Sequence, residues 1–220
     1  LINKFNINID CGFIMFHPYS TMENIIDNAT FLHDLGLADC TCPYSSRLDA
    51  FPNTALYDKI QKDNLVLKTI NSHNSQGYSL YDYKYKDPVV KRLSDKMLYV
   101  NNFINNKKDV PYKQVMKLTT YLSRTKRLIA RKYKDDIFVI NCYSCIEKAI
   151  NDMKNNMNHL NHSWFLNSIE LVKNNVPNKD FNCVLKKHLN KIENEILPVQ
   201  KIQMKYGLKL TRHLHSLAKF

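Results

Sequence analysis

The sequence predicts an α/β region over residues 1–87 followed by an all-helical region over residues 88–220. Three observations carry this reading. Ile7 to Phe16 reads as a strand, and its end, Phe13-Ile14-Met15-Phe16, is apolar at consecutive positions, as in a parallel sheet covered on both faces. That strand runs into a polar turn that opens into a helix, and a second strand and helix follow. Beyond Pro88 the apolar residues keep only the helical period.

In chain order, Ser20 is positioned to start the first helix, with Glu23 three residues on as its capping-box partner. Ile25, Ala29 and Leu32 hold helical spacing, and Gly36 is a natural stop. A second strand is expected within 38–51. Pro52-Asn53-Thr54 reads as a turn, with Thr54 as cap of a helix over 55–62. This β-α-β-α order is the grammar of parallel sheets and β/α barrels, although two such units cannot close a barrel of eight. Leu65–Ile70 and Tyr78–Tyr85 then read as a hairpin around a polar turn. Helices are expected near 88–105, 112–134, 137–158, 163–174 and 180–206. Asp180 is a candidate cap, and Pro198 is expected to kink or divide the last helix.

The 220 residues are 44% hydrophobic and 11% aromatic, enough to build a core. No apolar run approaches the roughly 18 residues of a membrane span, and no signal-peptide pattern opens the chain. The expectation is a cytoplasmic protein with no membrane partner, its six cysteines reduced. With 32 Lys and Arg against 20 Asp and Glu, the net charge of +12 attracts polyanions. The abundance of Asn, Lys, Ile and Tyr favours a compositional bias over nucleic-acid binding. The densest basic run, Arg124 to Lys134, reads as a solvated helical face; as a binding surface it would suit an acidic peptide, a phosphate-rich partner or RNA.

Side chains at the ends of parallel strands face the active site in β/α folds, which singles out His17, Tyr19, Ser20 and Thr21. Periodicity alone reads His17-Pro18 as a rigid strand exit. Cys40-Thr41-Cys42 would put both sulfurs on one face of a strand, most simply as small buried thiols. Cys142-x₂-Cys145 followed by His159-x₂-His162 approximates a zinc spacing. The His interval is one residue short, however, and the Cys pair falls in a helical stripe, so ordinary helix positions are preferred and no metal ligand is assigned. There is no G-x-x-x-x-G-K-[ST] loop and no G-x-S-x-G element, so kinase and hydrolase readings have no support.

Gly12-Phe13-Ile14-Met15-Phe16-His17-Pro18-Tyr19-Ser20-Thr21-Met22-Glu23 resembles the fifth-strand segment of radical SAM enzymes, especially those with an N-terminal cobalamin-binding domain. The resemblance continues into Arg47-Leu48-Asp49-Ala50-Phe51-Pro52-Asn53-Thr54-Ala55-Leu56-Tyr57, where the family has a PGTPLY segment. It extends to Tyr83-Lys84-Tyr85-Lys86-Asp87-Pro88, similar to the family's exit into a helical tail. It covers roughly residues 6–105.

The resemblance implies that residues 1–87 are the C-terminal half of a partial TIM-type β/α barrel and 88–220 a helical C-terminal domain. It implies S-adenosylmethionine and a [4Fe–4S] cluster as cofactors of the parent enzyme, with cobalamin in the members that carry that domain. Cleavage of S-adenosylmethionine to a 5′-deoxyadenosyl radical would start the reaction, with methyl transfer in cobalamin members. Gly12, Phe13 and Ile14 would line the adenine side of S-adenosylmethionine, His17 and Tyr19 would face the pocket, and Arg47 and Leu48 would contribute from the next strand. The substrate is left open between a peptide and a small molecule. His17 stands where the family has Asp, and Asn53-Thr54-Ala55 replaces Gly-Thr-Pro. The C-x₃-C-x₂-C cluster triplet is absent from the sequence. A separate N-terminal half is therefore expected as partner, and the chain alone is expected to be inactive. The alternative is a basic helical docking module without catalytic activity.

Overall fold

A computed structural model describes residues 12–73, 79–106 and 111–217. It overturns the expected fold class: the chain is mostly helical, and among the described residues the only sheet has two strands. The elements are α1 (Met22–Asp34), α2 (Cys42–Ser45), α3 (Ala55–Lys62), β1 (Val66–His73), β2 (Ser79–Tyr83), α4 (Pro88–Asn106), α5 (Pro111–Lys132), α6 (Ile137–Lys173) and α7 (Asn178–Leu217). No described helix is long and apolar enough to cross a membrane. The chain divides into two compact units. One takes in residues up to Asn28 and Cys42–Val100; the other takes in Ala29–Thr41 and everything from Asn101 on.

In the first unit, the two expected parallel strands shrink to a single parallel bridge between Phe16 and Arg47. Residues 7–11 of the first strand lie outside the described residues. The second strand is interrupted by α2, where Pro43 follows Cys42 at a helix start, a position proline favours. Cys40 and Cys42 therefore do not share a strand face. The bridge is nevertheless well bonded: Leu48 N donates to Phe16 O at 2.8 Å, and the Met15 and Phe16 amides both donate to Ser46 O at 3.1 Å. β1 and β2 pair antiparallel, as the hairpin reading expected, with Val66 opposite Tyr83. The residues connecting them, 74–78, lie outside the described residues. Asn53 takes φ 64°, the left-handed region that asparagine tolerates after glycine. Thr54 caps α3, its hydroxyl accepting from Tyr57 N at 3.2 Å.

The start of α1 differs from expectation in one residue. Thr21, not Ser20, makes the box: its hydroxyl accepts from Asn24 N at 3.2 Å and its own amide donates to Asn24 Oδ1 at 3.3 Å. Ser20 Oγ is used by the preceding turn. Gly36 ends the helix as expected, at φ 69°, with Leu37 N closing back onto Leu32 O at 2.8 Å.

The second unit is built on α5, α6 and α7, which pack against one another. Two expected helices, 137–158 and 163–174, are one helix of 37 residues. Their polar junction, Asn158 to Ser163, does not break it because Asn158 and Asn161 find partners in the core. α7 runs 40 residues through Pro198 and past the expected end at 206. Pro198 and Asn194 are both exposed, so the carbonyl that loses its donor can be hydrated. Asp180 lies in the first turn of α7 rather than at its cap.

Candidate functional site

The turn that leaves Phe16 is tied down by its own atoms. Ser20 N donates to His17 O at 3.0 Å across Pro18, which supplies the φ that the second residue of a β-turn needs. His17 N donates in return to Ser20 Oγ at 3.0 Å. Tyr19 N donates to His17 Nδ1 at 3.2 Å, which leaves the ring proton of neutral His17 on Nε2. Burial and the nearby Lys59 ammonium push the His17 pKa down. A neutral imidazole that donates through Nε2 binds a ligand acceptor; it does not supply a proton.

Tyr19 is the centre of a cationic cluster. Lys59 Nζ lies 4.6 Å and Lys86 Nζ 4.9 Å from its ring centroid, both within cation–π range. Its hydroxyl donates to Asp63 Oδ2 at 3.0 Å, and Lys86 Nζ reaches the same oxygen at 3.1 Å. Lys86 and Tyr19 hydrogen bonds hold the Asp63 carboxyl below its usual range. Lys86 N also donates to Pro18 O at 2.9 Å, so the exit into α4 is fastened to the turn.

A second cluster surrounds Arg47, the bridge partner of Phe16. Its Cζ is 5.6 Å from the ring centroids of both Tyr83 and Tyr85. Nε donates to Tyr85 OH at 3.1 Å and Nη2 lies 3.5 Å from Asp82 Oδ1. Tyr83 OH donates to Leu48 O at 3.0 Å, and Tyr85 OH pairs with Ser94 Oγ at 2.9 Å. Burial, with Tyr85 beside it, pushes the Tyr83 pKa well up, so Tyr83 stays neutral beside the guanidinium.

Of the seven predicted site residues, the structure thus gathers His17 and Tyr19 into one cluster and places Arg47 with Leu48 on the paired segment beside it. Gly12 and Ile14 are exposed, Ile14 by 46%, and a methyl group added at Gly12 would meet nothing within 4 Å. Phe13 is half-buried. Sequence reading missed Lys59, Asp63, Asp82 and Ser94. The available signal was the alternation Tyr83-Lys84-Tyr85-Lys86, taken only as a hairpin and an exit.

The described thiols do not fit a [4Fe–4S] cluster. Cys40, Cys42, Cys142, Cys145 and Cys183 are free, and no group of three His, Cys, Asp or Glu among the described residues is arranged to hold a metal. Cys145 and His159 lie fourteen positions apart on one continuous helix, about 21 Å at 1.5 Å per residue, which rules out a shared zinc.

The helical unit holds a different polar site. Asn161 is fully buried; its Nδ2 donates to Ala38 O at 2.8 Å, and its Oδ1 accepts from Tyr112 OH and from His188 Nε2, the latter at 3.0 Å. His188 stacks on Trp164 with centroids 4.9 Å apart. Burial, and then Lys191, push its pKa down to about 3. One turn earlier, Asn158 Oδ1 accepts from Ala38 N and Nδ2 donates to His33 O, both at 2.8 Å. Two asparagines thus clamp the backbone that leaves α1. No protein-family model, no curated protein and no solved structure matches the chain.

Proposed function

We propose that this chain is the part of a radical SAM enzyme that binds S-adenosylmethionine at the edge formed by residues 12–19 and 47–48, and that it does not cleave it. One observation carries the reading. The parallel Phe16–Arg47 bridge, across which Leu48 N donates to Phe16 O, brings the start of the His17–Ser20 turn alongside the backbone of Arg47 and Leu48. The resemblance of the same residues to the fifth-strand segment of radical SAM enzymes supports the identity of the ligand.

The residues fit that ligand's chemistry. Gly12 and the exposed face of Ile14 offer an open apolar surface to a flat base. The partly exposed Arg47 guanidinium and neutral His17 Nε2–H are donors for carboxylate or ribose oxygens. Tyr19 orders Lys59 and Lys86 close to the same turn. When bound in a complete enzyme, S-adenosylmethionine supplies the radical precursor; these residues orient it.

Isothermal titration of the chain with S-adenosylmethionine tests this. The expected result is saturable one-to-one binding, weakened at least about tenfold by Arg47→Ala and by Tyr19→Ala with unchanged circular dichroism, and no turnover (a tenfold loss is about 1.4 kcal/mol). Absence of binding at millimolar ligand, or equal binding by both variants, contradicts the reading.

A further inference from the structure

We propose that His33, His159 and His162 form a proton-operated latch within the helical unit, which holds the end of α1 to α6 at neutral pH and releases it on uptake of a second proton. His33 is the penultimate residue of α1, and His159 and His162 stand one turn apart on α6. His33 Nδ1 lies 3.0 Å from Asp34 Oδ1, so the carboxylate fixes that nitrogen as a donor. The lone pair on His33 Nε2 is then left to accept from His159 Nδ1–H at 2.8 Å. The His162 ring stacks on His33, centroids 4.4 Å apart and planes 27° from parallel. Its Nε2 is buried with no hydrogen-bond partner among the described residues.

One proton is accommodated. On Nε2 of exposed His159 it leaves Nδ1–H in place, so the bond to His33 becomes charge-assisted and stronger. The second has two destinations, and each breaks the cluster. On His33 Nε2 it sets one N–H against another across the same 2.8 Å gap. On His162 Nε2 it buries a charge with no acceptor, against a stacked imidazole. The groups that face His162 are His33 and Asp34 from α1 and His159 from its own helix. Asp34 is the one acid among them and is already committed to His33. Lys154 and Asp39, two turns back along α6, neutralise each other at 3.0 Å.

The direction of the pH effect follows. Burial, then the neighbouring imidazoles, hold the His162 pKa below the free value of 6.5. Below about pH 6.5 the opened form binds more protons than the closed one, so stability is present above that pH and is lost as pH falls. Each extra proton taken up on opening changes the equilibrium about tenfold per pH unit.

The test is urea unfolding of the full chain from pH 8 to pH 5, beside His33→Gln and His162→Phe, with histidine ring titrations by NMR in the wild type. His188 takes up a proton on unfolding in all three proteins, so it cancels in the comparison. Between pH 6.5 and 5 the wild-type unfolding constant is expected to rise about tenfold more than that of either variant. The His162 ring is expected to titrate below the free value of 6.5. Equal pH dependence in all three proteins, or a His162 ring that titrates at or above 6.5, overturns the latch. If a variant fails to fold at pH 8, the His162 titration in the wild type decides alone.

Discussion

The two units handle polar residues in opposite ways. In the unit containing the strand exits, charged side chains gather at half-exposed positions: Arg47 keeps 24% and Asp82 32% of their side-chain surface in solvent. In the helical unit, Asn161, Tyr112 and His188 are buried and saturate one another. A half-exposed charge contributes little to folding, because water competes for it, and it can exchange water for a ligand. A buried amide network excludes ligands, and its loss leaves several polar groups without partners. Binding and stability are therefore expected to separate between the units.

The largest effect tests the helical core. Phe165 is fully buried, and Phe165→Ala is expected to cost about 3–5 kcal/mol in urea unfolding. Next, Asn161→Ala removes the donor to Ala38 O and the acceptor shared by Tyr112 OH and His188 Nε2, which still pair with each other at 2.9 Å, with an expected loss of about 2–3 kcal/mol. A loss under about 1 kcal/mol would remove the network from the stability side of the contrast. Arg47→Ala, which empties the space between Tyr83 and Tyr85, should cost only about 1 kcal/mol in the same measurement. Smallest is Asp95→Ala, which removes a four-residue-spaced helix pair with Lys91; about 0.5 kcal/mol or less is expected.

His188 sharpens the contrast by titration. Its pKa of about 3 in the folded chain lies below the free imidazole value, so folding excludes a proton there. Its contribution to stability is complete above about pH 6.5 and falls as the pH drops toward 3. An NMR titration in which the His188 ring of the folded chain protonates near pH 6 would show that the network is hydrated.

Local features were legible in the sequence where a single residue type answers a backbone demand. Thr54 caps α3, Gly36 ends α1 with positive φ, and Asn53 takes the left-handed turn. The hairpin and the existence of the later helices also follow from alternation and period. What failed was the extension from local pattern to sheet. The apolar run to Phe16 and the segment near Arg47 each read as a strand, yet among the described residues one bridge joins them, because α2 occupies the residues the second strand needed. Strand pairing depends on distant segments that a local pattern does not report.

The polar junction at 158–163 was misread for a related reason. Asn161 keeps the core phase of Met153, Met157 and Trp164, and a polar residue at an apolar position was the available signal. The partners that satisfy it, at Ala38 and His188, are far away in sequence. The site was visible only in part: His17 and Tyr19 came from their strand-end position as well as from motif resemblance and Arg47 from the resemblance, whereas Lys59 and Ser94 lie on helices, and Asp63 just past one, whose placement no spacing encodes.

Hydrogen exchange with and without S-adenosylmethionine tests the account most directly. Ligand is expected to slow exchange at amides of residues 12–21 and 46–50 and to leave α5, α6 and α7 unchanged. Slowing confined to the helical unit, or no slowing anywhere at saturating ligand, would contradict the assignment of the strand exits as the binding edge.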